Sequence, residues 1–114
     1  MFSKELLKGT LSAIILKLLA DEGKMYGYEI AQRVREQSGN KIMIKDGSLY
    51  PALQKMTEDG LLTFEEEMVG GRVRKYYYLT PNGKKQGVNF VAELQDFVAT
   101  ISQIMDAKPK IIQS

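Results

Sequence analysis

The chain has no cysteine, no histidine and no tryptophan, and only three prolines. Without cysteine there are no disulfides, no thiolate metal ligands and no cysteine nucleophile. Without histidine, the usual general base and the commonest metal ligand are both missing. Carboxylates, lysines, serines and tyrosines remain, but no arrangement of them suggests catalysis, and no phosphate-binding loop is present. The expectation is a protein that is not an enzyme and carries neither metal nor cofactor. A long hydrophobic run is missing too. Leu11 to Ala20 is apolar, but Lys17 interrupts it, it is too short to span a bilayer, and no small-residue cleavage site follows cleanly. That pattern predicts a cytoplasmic protein with no membrane partner.

What is present suits one small domain. The chain has 114 residues, of which 44% are apolar, enough for a packed core. A lone domain of this size buries a modest share of its surface, and pairing with a second copy would add to it. The net charge of +2 says little, but its distribution says more. Arg72, Arg74, Lys75, Lys84 and Lys85 fall between Met68 and Lys85 with no acid among them. A basic segment on a mildly acidic body is either an electrostatic footprint for a polyanion or a solvated hairpin tip.

The elements follow from spacing. Leu7, Leu11, Ile14, Ile15, Leu18 and Leu19 make one apolar stripe, which predicts a helix from Lys4 to Glu22 closed by Gly23. A turn leads to Tyr26 and a second helix ending near Gln37, with turn chemistry at Ser38-Gly39-Asn40. Ile42 and Ile44 suit a short extended piece. A third helix begins near Asp46 or Ser48, both good caps, and stops at Gly60. Pro51 sits in its first turn if Ser48 is the cap, but costs a backbone bond if Asp46 is; the early start is preferred. Leu62 to Val69 and Val73 to Leu79 read as strands around a Gly70-Gly71 hairpin tip. Thr80-Pro81 then opens a last helix. In that helix Phe90, Leu94, Phe97, Ile101 and Ile104 recur at spacings of four and three, joined by Val91, Val98 and Met105. This broad stripe fits a dimer interface better than packing on its own domain alone.

Three helices followed by a basic hairpin outline a winged helix-turn-helix. The fold expected is mainly α with a small β-hairpin: a DNA-binding domain over residues 1–80, a dimerisation helix over 81–107, and a disordered tail over 108–114. A major groove accepts one helix, whose early side chains reach base edges. Ser48, Tyr50, Gln54 and Lys55 are the outward residues of the third helix, and Arg72, Arg74 and Lys75 would meet phosphates or the minor groove. Tyr50 has a second reading, as a ring packed on the second helix with its hydroxyl at the surface. Glu65-Glu66-Glu67 opposes DNA binding unless the hairpin turns it away from the duplex.

Taken in order, Gly9-Thr10-Leu11, Tyr26-Gly27-Tyr28-Glu29-Ile30, Gly47-Ser48-Leu49-Tyr50-Pro51-Ala52-Leu53, Asp59-Gly60-Leu61-Leu62, Gly71-Arg72 and Arg74-Lys75-Tyr76-Tyr77-Tyr78-Leu79-Thr80-Pro81-Asn82-Gly83 resemble the PadR family of bacterial transcriptional regulators. The resemblance runs from Leu7 to Gly83, and a single helix after the hairpin looks like the short branch of that family. It implies a homodimeric repressor on a palindromic operator. It also implies a last helix that dimerises, often against the partner's first helix. On that footing the interface would hold Leu7, Leu11, Phe90, Leu94, Phe97, Ile101 and Ile104. The resemblance further implies release by a small effector in members that have one, aromatic in the known cases. A site for it would lie near Ile14, Phe90, Leu94 and Phe97. The family's drug-binding members use tryptophan there; this chain offers Phe90 and Phe97 instead. Lys45-Asp46 stands where the family commonly has a small capping residue. The alternative is a winged-helix module that binds protein and has lost DNA binding; an acidic run and low net charge favour it.

Overall fold

A computed structural model of the chain describes residues 2–108. Residues 109–114, most of the expected tail, lie outside the described residues. The order is α1 (Lys4–Leu7), α2 (Leu11–Glu22), β1 (Lys24–Tyr26), α3 (Gly27–Gln37), α4 (Asp46–Glu58), β2 (Leu62–Val69), β3 (Arg72–Leu79) and α5 (Pro81–Asp106).

The expected first helix is two. Gly9 takes a φ of +88°, which a right-handed helix cannot contain, and the chain turns over Lys8 to Thr10. The Thr10 hydroxyl donates back to the Leu7 carbonyl at 2.7 Å instead of capping α2. Leu7, Leu11 and Ile14 nevertheless line one groove across this break. α2 ends where expected, with the Gly23 N–H donating to the Leu19 carbonyl at 2.9 Å.

The hairpin is part of a three-stranded antiparallel sheet, in the order β1-β3-β2. The additional strand, β1, pairs Lys24 with Tyr78, Met25 with Tyr77 and Tyr26 with Tyr76. Gly70 and Gly71, both at positive φ, form the tip. Ile42 and Ile44 are extended as expected, but they join no sheet. They lie half-buried against the core as the connector between α3 and α4.

α4 takes the early start, with Lys45 as its cap residue and no side-chain cap bond from Asp46 or Ser48. Pro51 lies inside the helix and lacks the N–H that would reach the Gly47 carbonyl. Both residues are exposed, so water can satisfy that carbonyl. Leu49 and Leu53 are fully buried, beside Ile15, Leu16, Leu19, Ile30 and Leu62. Each such side chain contributes about 1.5–3 kcal/mol by leaving water.

α5 starts as the Thr80-Pro81 pair predicts. The Thr80 Oγ1 accepts from the Gly83 N–H at 2.9 Å and donates to the Gly60 carbonyl at 2.6 Å. Its first half packs on the domain: Gly83 and Gly87 are buried, and Phe90, Val91 and Leu94 are half-buried. Its second half carries Phe97, Val98, Ile101, Ile104 and Met105 exposed.

Candidate nucleic-acid interface

At 100° per residue, α4 buries the arc holding Leu49, Leu53 and Met56. The opposite arc, roughly 160° wide, runs from Tyr50 at one edge through Gln54, Gly47 and Pro51 to Lys55 and Ser48 at the other. All six are exposed. The four residues expected to read DNA therefore share one outward face but not one patch. Tyr50 and Gln54 border the hairpin, whereas Ser48 borders an N-terminal groove. Gln54 Nε2 donates to Glu58 at 3.2 Å, and Lys55 pairs with Asp59 at 3.3 Å. Exposed pairs of this kind are worth less than about 1 kcal/mol, so both side chains can leave them for a ligand.

The hairpin sorts its charges by strand alternation. Glu67 faces Arg74 and Glu65 faces Tyr76, whereas Glu66 faces Lys75 and Met68 faces Val73. Lys75, Glu66, Val73 and Phe64 therefore stand on the sheet face that carries the core residues Tyr77 and Leu79 and looks toward α4. Arg72, Arg74, Glu65 and Glu67 stand on the outer face. There Lys24 Nζ reaches Glu65 at 2.9 Å and Glu67 at 3.6 Å. The hydrogen bond that Lys24 donates to Glu65 raises its ammonium above the ordinary lysine range. Two of the three acids thus share a single lysine on the outer face.

Two of the three wing bases rest on aromatic rings. The Arg74 guanidinium lies 4.4 Å from the centre of Tyr26, and Lys75 Nζ lies 4.6 Å from that of Phe64. Arg72, at the tip, is exposed.

Between α4 and the hairpin lies an open cleft of about 840 Å³ lined by Tyr26, Tyr50, Gln54, Phe64, Arg74 and Lys75, among others. Tyr50 reaches it by lying across the start of α3. A side-chain carbon on Gly27 would sit 2.8 Å from the Tyr50 ring and from its hydroxyl oxygen. The placement matches the second reading of Tyr50, a ring packed on the second expected helix, here α3, with its side chain bordering the cleft. Tyr77 stands at the cleft's inner wall. Burial pushes its phenol above the ordinary tyrosine range, and the neighbouring Tyr50 adds to the shift. Tyr26, Phe64 and Tyr77 were not among the site residues expected from sequence. Their signal was strand propensity, which does not say which face of a sheet meets a helix.

A separate apolar groove of about 470 Å³ is lined by Leu7, Leu11, Ile14, Ile42, Ile44 and Ser48, among others. Ile14 lies there, whereas Phe90 lines a different recess with Leu61 and Asn82. Within a single chain, then, Ile14 and Phe90 line separate recesses, and neither recess includes Leu94 or Phe97. No group of three or more His, Cys, Asp or Glu that could hold a metal occurs among the described residues. Among them, too, no helix is long and apolar enough to cross a membrane.

The family model described as the transcriptional regulator PadR-like family matches residues 15–88, which takes in α3, α4 and the hairpin. The chain belongs to the PadR-like family of transcriptional regulators. It is 32% identical over 88 residues to the negative transcriptional regulator PadR of Bacillus subtilis, covering 76% of this chain and 48% of that protein. Among solved structures it is similar to a transcriptional regulator from Clostridium thermocellum, with a TM-score of 0.79 and 29% identity over 88% of this chain and 97% of that one. It is also similar to the structure of Bacillus subtilis PadR in complex with operator DNA, with a TM-score of 0.67 and 32% identity over 74% of this chain and 46% of that one. As in the family, this PadR-like chain is a mainly helical winged helix with a long C-terminal helix.

Proposed function

We propose that this PadR-like chain is a cytoplasmic, homodimeric repressor that places α4 in the major groove of a palindromic operator and its hairpin along the adjacent backbone. The observation that carries the reading is the single outward surface formed by the exposed face of α4, the cleft beside it and the basic wing. The solved complex of Bacillus subtilis PadR with operator DNA supports the same choice. Within that surface, Ser48, Tyr50 and Gln54 would meet base edges or phosphates. Lys55, Arg72, Arg74 and Lys75 would neutralise phosphates. The pairing of Glu65 and Glu67 with Lys24 partly offsets the acidic run and so weakens the case for a module that binds only protein.

A second copy is part of this reading. Among the described residues the apolar second half of α5 has no partner, and the groove at Leu7, Leu11 and Ile14 is open. The Phe97, Ile101 and Ile104 face of one α5 would cover that groove on the partner, with Phe90 and Leu94 at its base. A small aromatic effector would act between the helices, near Ile14, Phe90, Leu94 and Phe97, by changing the spacing of the two α4 helices. The test is a mobility shift with DNA from upstream of the chain's own gene, alongside the mass of the free protein by light scattering. A dimer that binds no such DNA at low salt would sink the repressor reading. A dimer structure with the space around Phe90 and Phe97 filled would sink a preformed effector site.

A further inference from the structure

The glycine at position 27 needs an explanation that its backbone does not supply. Gly27 is the first residue of α3, in right-handed helical conformation, and it is absent from the positive-φ glycines at 9, 23, 39, 60, 70 and 71. Any residue can adopt that conformation, and alanine at a helical position is better than glycine by about 1 kcal/mol. What glycine uniquely provides is vacancy. Three atoms of Tyr50 lie within 2.9 Å of where a side-chain carbon would stand, and all three belong to the far end of the ring. Gly27 is buried under that ring, while Tyr50 itself is 46% exposed.

The geometry points to Gly27 as a positioning residue for DNA binding: by lacking a side chain it lets Tyr50 lie flat on the start of α3, which sets the Tyr50 hydroxyl in the cleft between α4 and the wing. This rests on the DNA reading above. Three facts support it. The close approach is to a movable ring tip rather than backbone, so a methyl group at position 27 would displace Tyr50 rather than unfold the helix. Tyr50 faces a cleft that also holds Arg74 and Lys75, where a strand of DNA backbone would run. Tyr77 lines the same cleft, so the two tyrosines border one space. The pairing explains why Tyr26-Gly27-Tyr28 and Ser48-Leu49-Tyr50 belong to one functional unit although they lie on different helices.

The experiment compares wild type, Gly27→Ala, Tyr50→Ala and the double variant, all as full chains. Operator affinity is measured over a salt series, and thermal unfolding is followed in parallel. Gly27→Ala is expected to unfold no earlier than wild type and to bind DNA about tenfold more weakly, the worth of one hydrogen bond to a charged group. Its salt slope should be unchanged, because a neutral hydroxyl releases no counterion. The double variant should bind no worse than Tyr50→Ala. With fluorotyrosine incorporated, the ¹⁹F resonance of Tyr50, assigned by Tyr50→Phe, should move in Gly27→Ala. Wild-type affinity in Gly27→Ala, additive effects in the double variant, or an unmoved Tyr50 resonance would each overturn the inference. If Gly27→Ala alone fails to fold, the double variant should fold, since it removes the clash; its failure would overturn the inference too. A wild-type chain that binds no DNA defeats the DNA reading itself, an outcome distinct from an indifferent Gly27.

Discussion

Gly83 lies directly against the backbone of Leu61. A side-chain carbon on Gly83 would collide with the Leu61 carbonyl oxygen and lie 2.9 Å from its carbon. The Thr80 N–H donates to that same carbonyl at 3.0 Å. The base of α5 is therefore bolted to the residues that follow α4, so the direction of the proposed dimer arm and that of the proposed reading helix are set together.

This close approach predicts the cost of filling it. Because the obstacle is backbone, Gly83→Ala should lower stability by about 1–3 kcal/mol, the usual range for overpacking. Denaturant unfolding measures it. A change below a few tenths of a kcal/mol would mean that the α4–α5 junction yields.

Gly47 predicts the opposite. It lies in the first turn of α4, not at positive φ, with nothing within 4 Å of where its side chain would be. Gly47→Ala should stabilise the fold by about 0.5–1 kcal/mol through helix preference. The same substitution should weaken operator binding, because the added methyl stands on the face proposed to meet the duplex. Equal or tighter binding would show that α4 does not approach DNA there.

The wing and the helix should fail differently. Arg72→Ala or Lys75→Ala should weaken binding to all sequences and reduce the salt slope by about 0.9 for each phosphate no longer neutralised. Gln54→Ala should alter sequence preference with little change in slope, as judged by selection from a randomised operator. Glu65→Gln should leave binding undiminished, since its carboxylate is engaged by Lys24 and the change removes a negative charge.

The exposed half of α5 can be tested without disturbing the core. Ile101→Asp should leave the far-ultraviolet spectrum intact, convert a dimer to monomer by light scattering, and weaken operator binding, because two linked half-sites would no longer be held together. Retention of the dimer would move the interface elsewhere.

Tyr77 predicts a pH dependence. Its phenol is raised in the fold by burial and then by Tyr50, so the unfolded chain releases that proton first. The associated stability is complete below about pH 10 and declines as pH rises through the tyrosine range. Unfolding at pH values from about 8 to 11 should show a decline that is smaller in Tyr77→Phe. An identical decline in that variant would assign it to other groups.

Much of the fold was legible because its signals are local. The Gly23 and Gly60 stops, the Gly70-Gly71 tip, the Thr80-Pro81 start and the buried Leu49 and Leu53 each follow from residues within a turn or two of one another. Family membership was legible for the same reason, as motifs in a fixed order. The break at Gly9 was missed because the apolar stripe runs on through it, and periodicity does not register a change of axis.

The sequence by itself determined the later helices and the two hairpin strands, where the basic residues concentrate, and which residues of α4 face outward. Only the tertiary structure decided what those segments meet. β1 exists because Lys24 to Tyr26 finds the edge of β3 some fifty residues away, a pairing that three residues cannot announce. The division of the wing charges follows strand alternation, but which face looks toward α4 depends on how the sheet closes over the core. The same holds for Gly27 and Tyr50: each is an ordinary residue in its own helix, and their relation appears only when α3 and α4 are packed. Local propensity acts over a few residues, whereas steric exclusion and burial act between groups that the chain brings together only on folding.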